Sequence, residues 1–196
     1  PLGMQPWRLL FDRADSWDVD EADVSAALAT VRDDREAESD GETAPPPSES
    51  GPARVVADAD VLAADLLVGG DAREALDHLR AHSWTTLLAS DPLLSDAAAV
   101  IAELADADLA ADWRERAAAW ADVVSHPPGD HPALSAAYRG GAMHLLSYDE
   151  RLLSAEAGAT LGSRLSVSAR HPRAFATLFD AGSLYPEVVG GEYPGP

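Results

Sequence analysis

Apolar and polar positions change period several times along the 196 residues, and those changes divide the chain. A short apolar run, Trp7 to Phe11, comes first. From Asp18 to Glu36, Val24, Ala27, Leu28 and Val31 recur at helical spacing, which predicts a helix with one thin apolar stripe. A stripe that thin does not hold a helix in water without a surface to pack on. Ser39 to Pro52 (SDGETAPPPSESGP) has no period and is rich in Pro, Ser, Gly and Glu, the composition of a linker. Beyond it, strand and helix signals alternate. Arg54–Asp58, Trp84–Ala89, Met143–Ser147 and Leu165–Ser168 read as short strands. Asp71–His82 reads as a helix with Ala75, Leu76 and Leu79 on one face. Ser90-Asp91-Pro92 opens a second helix, Leu93–Leu104, with proline inside its first turn. Leu109–Val124, with Leu109, Trp113, Trp120 and Val124 on one face, and Pro132–Arg139 are further helices. This order predicts an α/β domain: a central parallel sheet with helices on both faces and ligands at the carboxyl ends of the strands. The division is an extension at 1–38, a linker at 39–53 and a domain at 54–196. Pro1-Leu2-Gly3 before Met4 reads as a protease-cleavage remnant and is set aside.

Composition narrows the chemistry. No cysteine is present, which removes disulfides, thiolate nucleophiles, zinc–thiolate sites and iron–sulfur clusters. No apolar run is long enough for a membrane span and no signal-peptide pattern opens the chain, so a soluble, cytoplasmic protein is expected. The net charge is −20, and all 14 basic residues are arginine. Such acidity would ordinarily argue against a nucleic-acid partner. Many carboxylates, abundant alanine and no lysine also match adaptation to near-molar salt, as in halophilic archaea. There the Debye length is only ~3 Å and self-repulsion is screened. Under that reading net charge loses most of its power to veto a nucleic-acid substrate.

Several acids fall at strand ends or near helix starts. Asp58 closes the first strand, in Val55-Val-Ala-Asp58-Ala-Asp60-Val-Leu62. Asp96 lies in the first two turns of the helix after the second strand. Asp130 precedes the helix that leads into the third strand, and Asp149 follows that strand in Ser147-Tyr-Asp149. One edge of a parallel sheet can gather all four. A thiol-free acidic cluster suits a hard, oxygen-ligated cation, Mg²⁺ or Mn²⁺.

From Arg54 to about residue 170 these residues resemble the PIN-domain nucleases, the family of VapC-type toxins and several RNA-processing enzymes. The likeness rests on the strand ending in Asp58-Ala59-Asp60-Val61-Leu62, on Asp96 six residues after Ser90, and on Asp130 to Asp149, nineteen apart, with Ser147 in the Thr/Ser place of the last motif. One departure stands out: the second acid of the family is usually Glu, and Asp96 is a methylene shorter, with Glu103 as the fallback. The resemblance implies a three-layer α/β/α fold and metal-dependent hydrolysis of RNA phosphodiester bonds. It implies Asp58, Asp96, Asp130 and Asp149 as Mg²⁺ or Mn²⁺ ligands, with Asp60 and Ser147 orienting them. It also implies a homodimer and, for a toxin, an antitoxin or regulatory protein, which the N-terminal extension could engage.

Other readings compete. Asp58-Ala-Asp60 also suits a haloacid-dehalogenase-type phosphatase, but position 62 is Leu and lysine is absent. A PIN-like module with a weakened site would bind RNA or protein without cutting. His78 and His82 lie at i, i+4 without the Glu of a zinc-protease pattern and read as a solvated face. His126 and His131 flank Pro127-Pro128-Gly129 beside Asp130 and could help position substrate, although loop histidines are more often simply exposed. Trp113 and Trp120 read as core, whereas Trp7 and Trp17 read as docking residues of the extension. Residues 126–196 hold seven acids against five arginines. Arg151, two residues past Asp149, is the candidate for a substrate phosphate contact.

Overall fold

The computed structural model describes residues 5–35, 48–125, 131–154 and 167–196. Two helices come first, α1 (Gln5–Ala14) and α2 (Glu21–Arg35). Then follow β1 (Gly51–Ala57), α3 (Ala59–Leu67), α4 (Gly70–Ala81), β2 (Thr86–Ser90), α5 (Asp91–Leu104), α6 (Ala107–Trp120) and β3 (Asp122–Val124). The last part holds α7 (Pro132–Gly140), β4 (Ala142–Leu146), α8 (Glu150–Leu153), β5 (Ser168–Arg170), α9 (Pro172–Leu178) and α10 (Ala181–Val188). The five strands form one sheet, ordered β3-β2-β1-β4-β5, with every pair parallel. Helices flank it, as the alternation predicts for a three-layer α/β/α fold.

The sheet corrects three expectations. The helix drawn from Leu109 to Val124 stops at Trp120, and Asp122–Val124 pairs with Leu88–Ser90 as an edge strand. The last strand is Ser168–Arg170 rather than Leu165–Ser168, of which residues 165 and 166 lie outside the described residues. β1 begins at Gly51, inside the predicted linker, with the Gly51 N–H donating to the Gly141 carbonyl at 3.0 Å.

β1 sits at the centre, so Val55, Val56 and Ala57 are buried on both faces, as an apolar run in a parallel sheet requires. The chain leaves β1 toward β2 and β3, then returns across β1 to β4. The topology therefore reverses between β1 and β4, where open α/β sheets form their ligand crevice. The return depends on Gly141, which caps α7 with φ +67° and would drive a Cβ within 2.2 Å of the Glu49 carbonyl oxygen.

The N-terminal extension packs on the chain's own domain. Trp7, Leu10, Phe11 and Ala14 of α1 and Val24, Ala27 and Leu28 of α2 are buried in the common core. Trp7 meets Trp120 edge to face at 5.4 Å, so α6 is what Trp7 docks on. The start of α2 is set by a reciprocal cap, with Asp23 N–H donating to Asp20 Oδ1 (2.9 Å) and Asp20 N–H to Asp23 Oδ2 (3.1 Å). Burial of Val24, Ala27 and Leu28 sets which face of α2 meets the domain, and Arg32, one turn past Leu28, reaches Asp58 from that face. Among the described residues, no helix is long and apolar enough to cross a membrane.

Candidate functional site

The parallel register places three polar residues at the carboxyl edge of the sheet. Ala57 pairs with Leu146 and Val56 with Leu88, so Asp58, Ser147 and Ser90 each follow or end a strand there. The Asp58 N–H extends the ladder by donating to the Leu146 carbonyl at 2.8 Å, which pins its backbone at the switch point. Asp58 also caps α3, accepting from the Ala59 N–H at 2.7 Å. Ser90 caps α5, accepting from the Leu93 N–H at 3.4 Å, and Asp96 lies between one and two turns into that helix. Asp58 and Asp96 both show no exposed surface.

Two fully buried carboxylates at this end of the sheet need a counter-charge. It comes from the N-terminal extension. Arg32 Nη2 donates to Asp58 Oδ1 at 2.5 Å, its Nη1 lies 3.4 Å from Asp58 Oδ2, and its Nε lies 3.6 Å from Asp96 Oδ2. One guanidinium thus bridges the first two acids. Arg32 Nη1 also reaches His131 Nε2 at 3.2 Å, and that nitrogen is 3.9 Å from Asp58 Oδ2. Burial lowers the His131 pKa despite the attraction of Asp58, and the Arg32 charge lowers it further. A neutral imidazole accepting from Arg32 follows.

Asp60 has a different task. Its Oδ1 accepts from the Val61 N–H at 2.6 Å, and its Oδ2 accepts from the Tyr148 N–H at 2.9 Å and from Ser147 Oγ at 3.1 Å. Ser147 Oγ in turn accepts from the Asp149 N–H at 3.0 Å. Asp60 therefore ties the start of α3 to the end of β4 and holds the turn that presents Asp149. Burial, and then the neighbouring Asp58 charge, raise its pKa to about 7, against the lowering effect of those hydrogen bonds. Asp149 sits nearer the surface and faces Arg151, whose Nη2 is 2.9 Å from its Oδ2. That hydrogen bond lowers the Asp149 pKa, and the Arg151 side chain itself is 90% exposed.

The structure therefore brings Asp58, Asp60, Asp96 and Ser147 together, leaves Asp149 at the rim, and turns Arg151 onto Asp149. Asp130 lies outside the described residues. Glu103, further along α5, is exposed. The rim opens on a cleft of about 690 Å³ with α2 as one wall, lined by Arg32, Asp60, His131, Tyr148, Asp149 and Arg151 among others. Two fully buried oxygen-donor groups already bridged by a cation fit a hard metal in kind. As they stand, however, no group of three or more His, Asp or Glu among the described residues is arranged to hold an ion.

Arg32 and His131 are the site residues that the sequence reading missed. Arg32 had a signal: Val24, Leu28 and Arg32 fall at i, i+4 and i+8, so the arginine continues the buried stripe. For His131 the signal is its place beside Asp130 and before Pro132, which does not separate a site residue from an exposed loop histidine.

No curated protein and no solved structure matches the chain. The pattern of one family, DUF7384, matches residues 49–196, which takes in every strand and all four sequence-derived acids but not α1, α2 or Arg32. The chain belongs to DUF7384, a family of unknown function.

Proposed function

We propose that the cleft at the carboxyl ends of β1 and β4 is the active site of a Mg²⁺- or Mn²⁺-dependent ribonuclease of PIN-like type. The observation that carries this is the pairing of Asp58 and Asp96. Two carboxylates from different elements are fully buried within reach of one guanidinium, Asp58 at the topological switch point and Asp96 on α5, and capping α3 accounts for only one oxygen of Asp58. Asp58 and Asp96 would hold the cation, with Asp149 and Asp130 as the further ligands the resemblance implies. The bound ion would supply an activated water and charge stabilisation at the leaving oxygen. Asp60 keeps the Ser147–Asp149 turn in place, and its hydrogen bonds to two backbone N–H groups and Ser147 occupy both its oxygens. The phosphatase reading fits less well, since position 62 is Leu and the chain has no lysine. Arg151 at the rim is the candidate phosphate contact once it leaves Asp149.

A second reading, a PIN-like binding module with a silent site, is favoured by one observation: Arg32 already neutralises the acids that the metal would use. Incubation of labelled single-stranded RNA in molar KCl separates the two, with Mn²⁺ or with chelator. Wild type is expected to cleave only with Mn²⁺, and Asp58→Asn to lose at least ~100-fold of that rate while keeping its circular dichroism. Cleavage that survives in Asp58→Asn, or no cleavage by either wild type or Arg32→Ala at millimolar Mn²⁺, removes the nuclease reading.

A further inference from the structure

We infer that α2 is a built-in gate on this site, with Arg32 and a divalent cation competing for the same carboxylates; this rests on the metal-site reading above. The bridge is tight on Asp58 and looser on Asp96. Nη2 takes Asp58 Oδ1 at 2.5 Å, Nη1 approaches Oδ2 of the same carboxylate, and Nε faces Asp96 Oδ2 at 3.6 Å. A hard cation binds through those same lone pairs. Held on Asp58, it would also stand within a few ångströms of a fixed guanidinium in a buried, weakly screened setting, where repulsion between like charges is costly. Arginine cannot relieve that cost by losing its proton. Either the ion stays out or Arg32 moves.

As a gate, α2 withdraws Arg32 from the acids by undocking along the cleft that Arg32 borders. At 21% side-chain exposure it is partly open to that space, whereas Asp58 and Asp96 are closed. Val24, Ala27 and Leu28 anchor α2 and hold the docked state in favour. The division of labour along the chain agrees. The family-matched region supplies the acids, and the arginine that neutralises them comes from outside it, from the extension. If the docked form predominates, apparent metal affinity falls by the fraction of open molecules. By linkage, a saturating cation must weaken the docking of α2 by the same factor.

The test is Mn²⁺ binding to the full chain in molar KCl, followed by the electron paramagnetic resonance of free Mn²⁺, for wild type, Arg32→Ala and Leu28→Asp. Arg32→Ala removes the competitor, and Leu28→Asp undocks the helix that carries it. Both are expected to bind Mn²⁺ at least ~10-fold more tightly than wild type. Hydrogen exchange of wild type gives the reciprocal reading, with faster exchange of the Val24–Val31 amides at saturating Mn²⁺. Equal affinity in wild type and both variants, or Mn²⁺ bound with α2 exchange unchanged, overturns the gate while leaving the metal site standing. Loss of affinity in Arg32→Ala overturns it too, making Arg32 an aid to the ion. No binding by any of the three removes the metal site itself, and the gate with it.

Discussion

Arg80 and Arg32 each hold a buried acid at close range, and they differ in what surrounds the charge. Arg80 on α4 pairs with the buried Asp65 of α3 and with Asp77, and its guanidinium lies 4.4 Å from the Trp7 ring and 4.9 Å from the Trp120 ring. Arg32 on α2 pairs with Asp58 and Asp96, touches a neutral histidine, and borders a cleft of about 690 Å³. Arg80 is roofed by aromatic rings from α1 and α6, and it cements the extension to the domain. Arg32 is roofed by solvent space, at the one place where the sheet topology makes a crevice. A buried ion pair is therefore no pointer to function by itself. The pointer is a buried ion pair at the switch point with a route in.

The contrast can be broken at the Arg80 end first, where the largest effect is expected. Arg80→Met leaves Asp65 buried without its main partner and removes the cation from the Trp7 and Trp120 faces. The expected loss is about 3–5 kcal/mol of unfolding free energy, read from urea unfolding in molar KCl. Mn²⁺ binding by the folded fraction should be unaffected. A loss below about 1 kcal/mol would make the Arg80 cluster no more structural than a surface pair.

A smaller effect sharpens the Arg32 end. With its pKa raised to about 7 by burial and by Asp58, Asp60 keeps a proton in the native state that the unfolded chain releases near its ordinary value of 3.8. Between those two values the native state binds more protons than the unfolded one, so this group's contribution to stability is full below about pH 4 and is lost as pH rises through 7. The slope from that single proton is at most ~1.4 kcal/mol per pH unit. Urea midpoints of wild type and Asp60→Asn across pH 4–7 should therefore diverge, with wild type showing the steeper decline. Parallel curves would mean that Asp60 is already ionised in the native state.

What was legible in the sequence followed from period and punctuation. The strand ending at Asp58, the Ser90-Asp91-Pro92 helix start and the Gly140-Gly141 turn each have a local physical cause, and each is present in the structure. β3 was illegible because three residues on a sheet edge, Asp122–Val124, carry no period of their own and directly follow a long helical one. Asp96 was legible as a candidate but not as a buried group, since an acid near a helix start is ordinarily explained by the macrodipole. Arg32 was passed over for a related reason. A charged residue on a thin amphipathic helix reads as solvent-facing until the partner surface beneath it is known. Here that surface contains two carboxylates.

The central claim is that Asp58 and Asp96 together form a divalent-cation site. Its most direct test is a Mn²⁺ titration of Arg32→Ala against Arg32→Ala/Asp96→Asn in molar KCl, by the same paramagnetic resonance signal. Asp96→Asn removes the charge and keeps the shape. The account predicts saturable binding near one ion per chain in the first protein and at least ~10-fold weaker binding in the second. Equal titration curves for the two would contradict it.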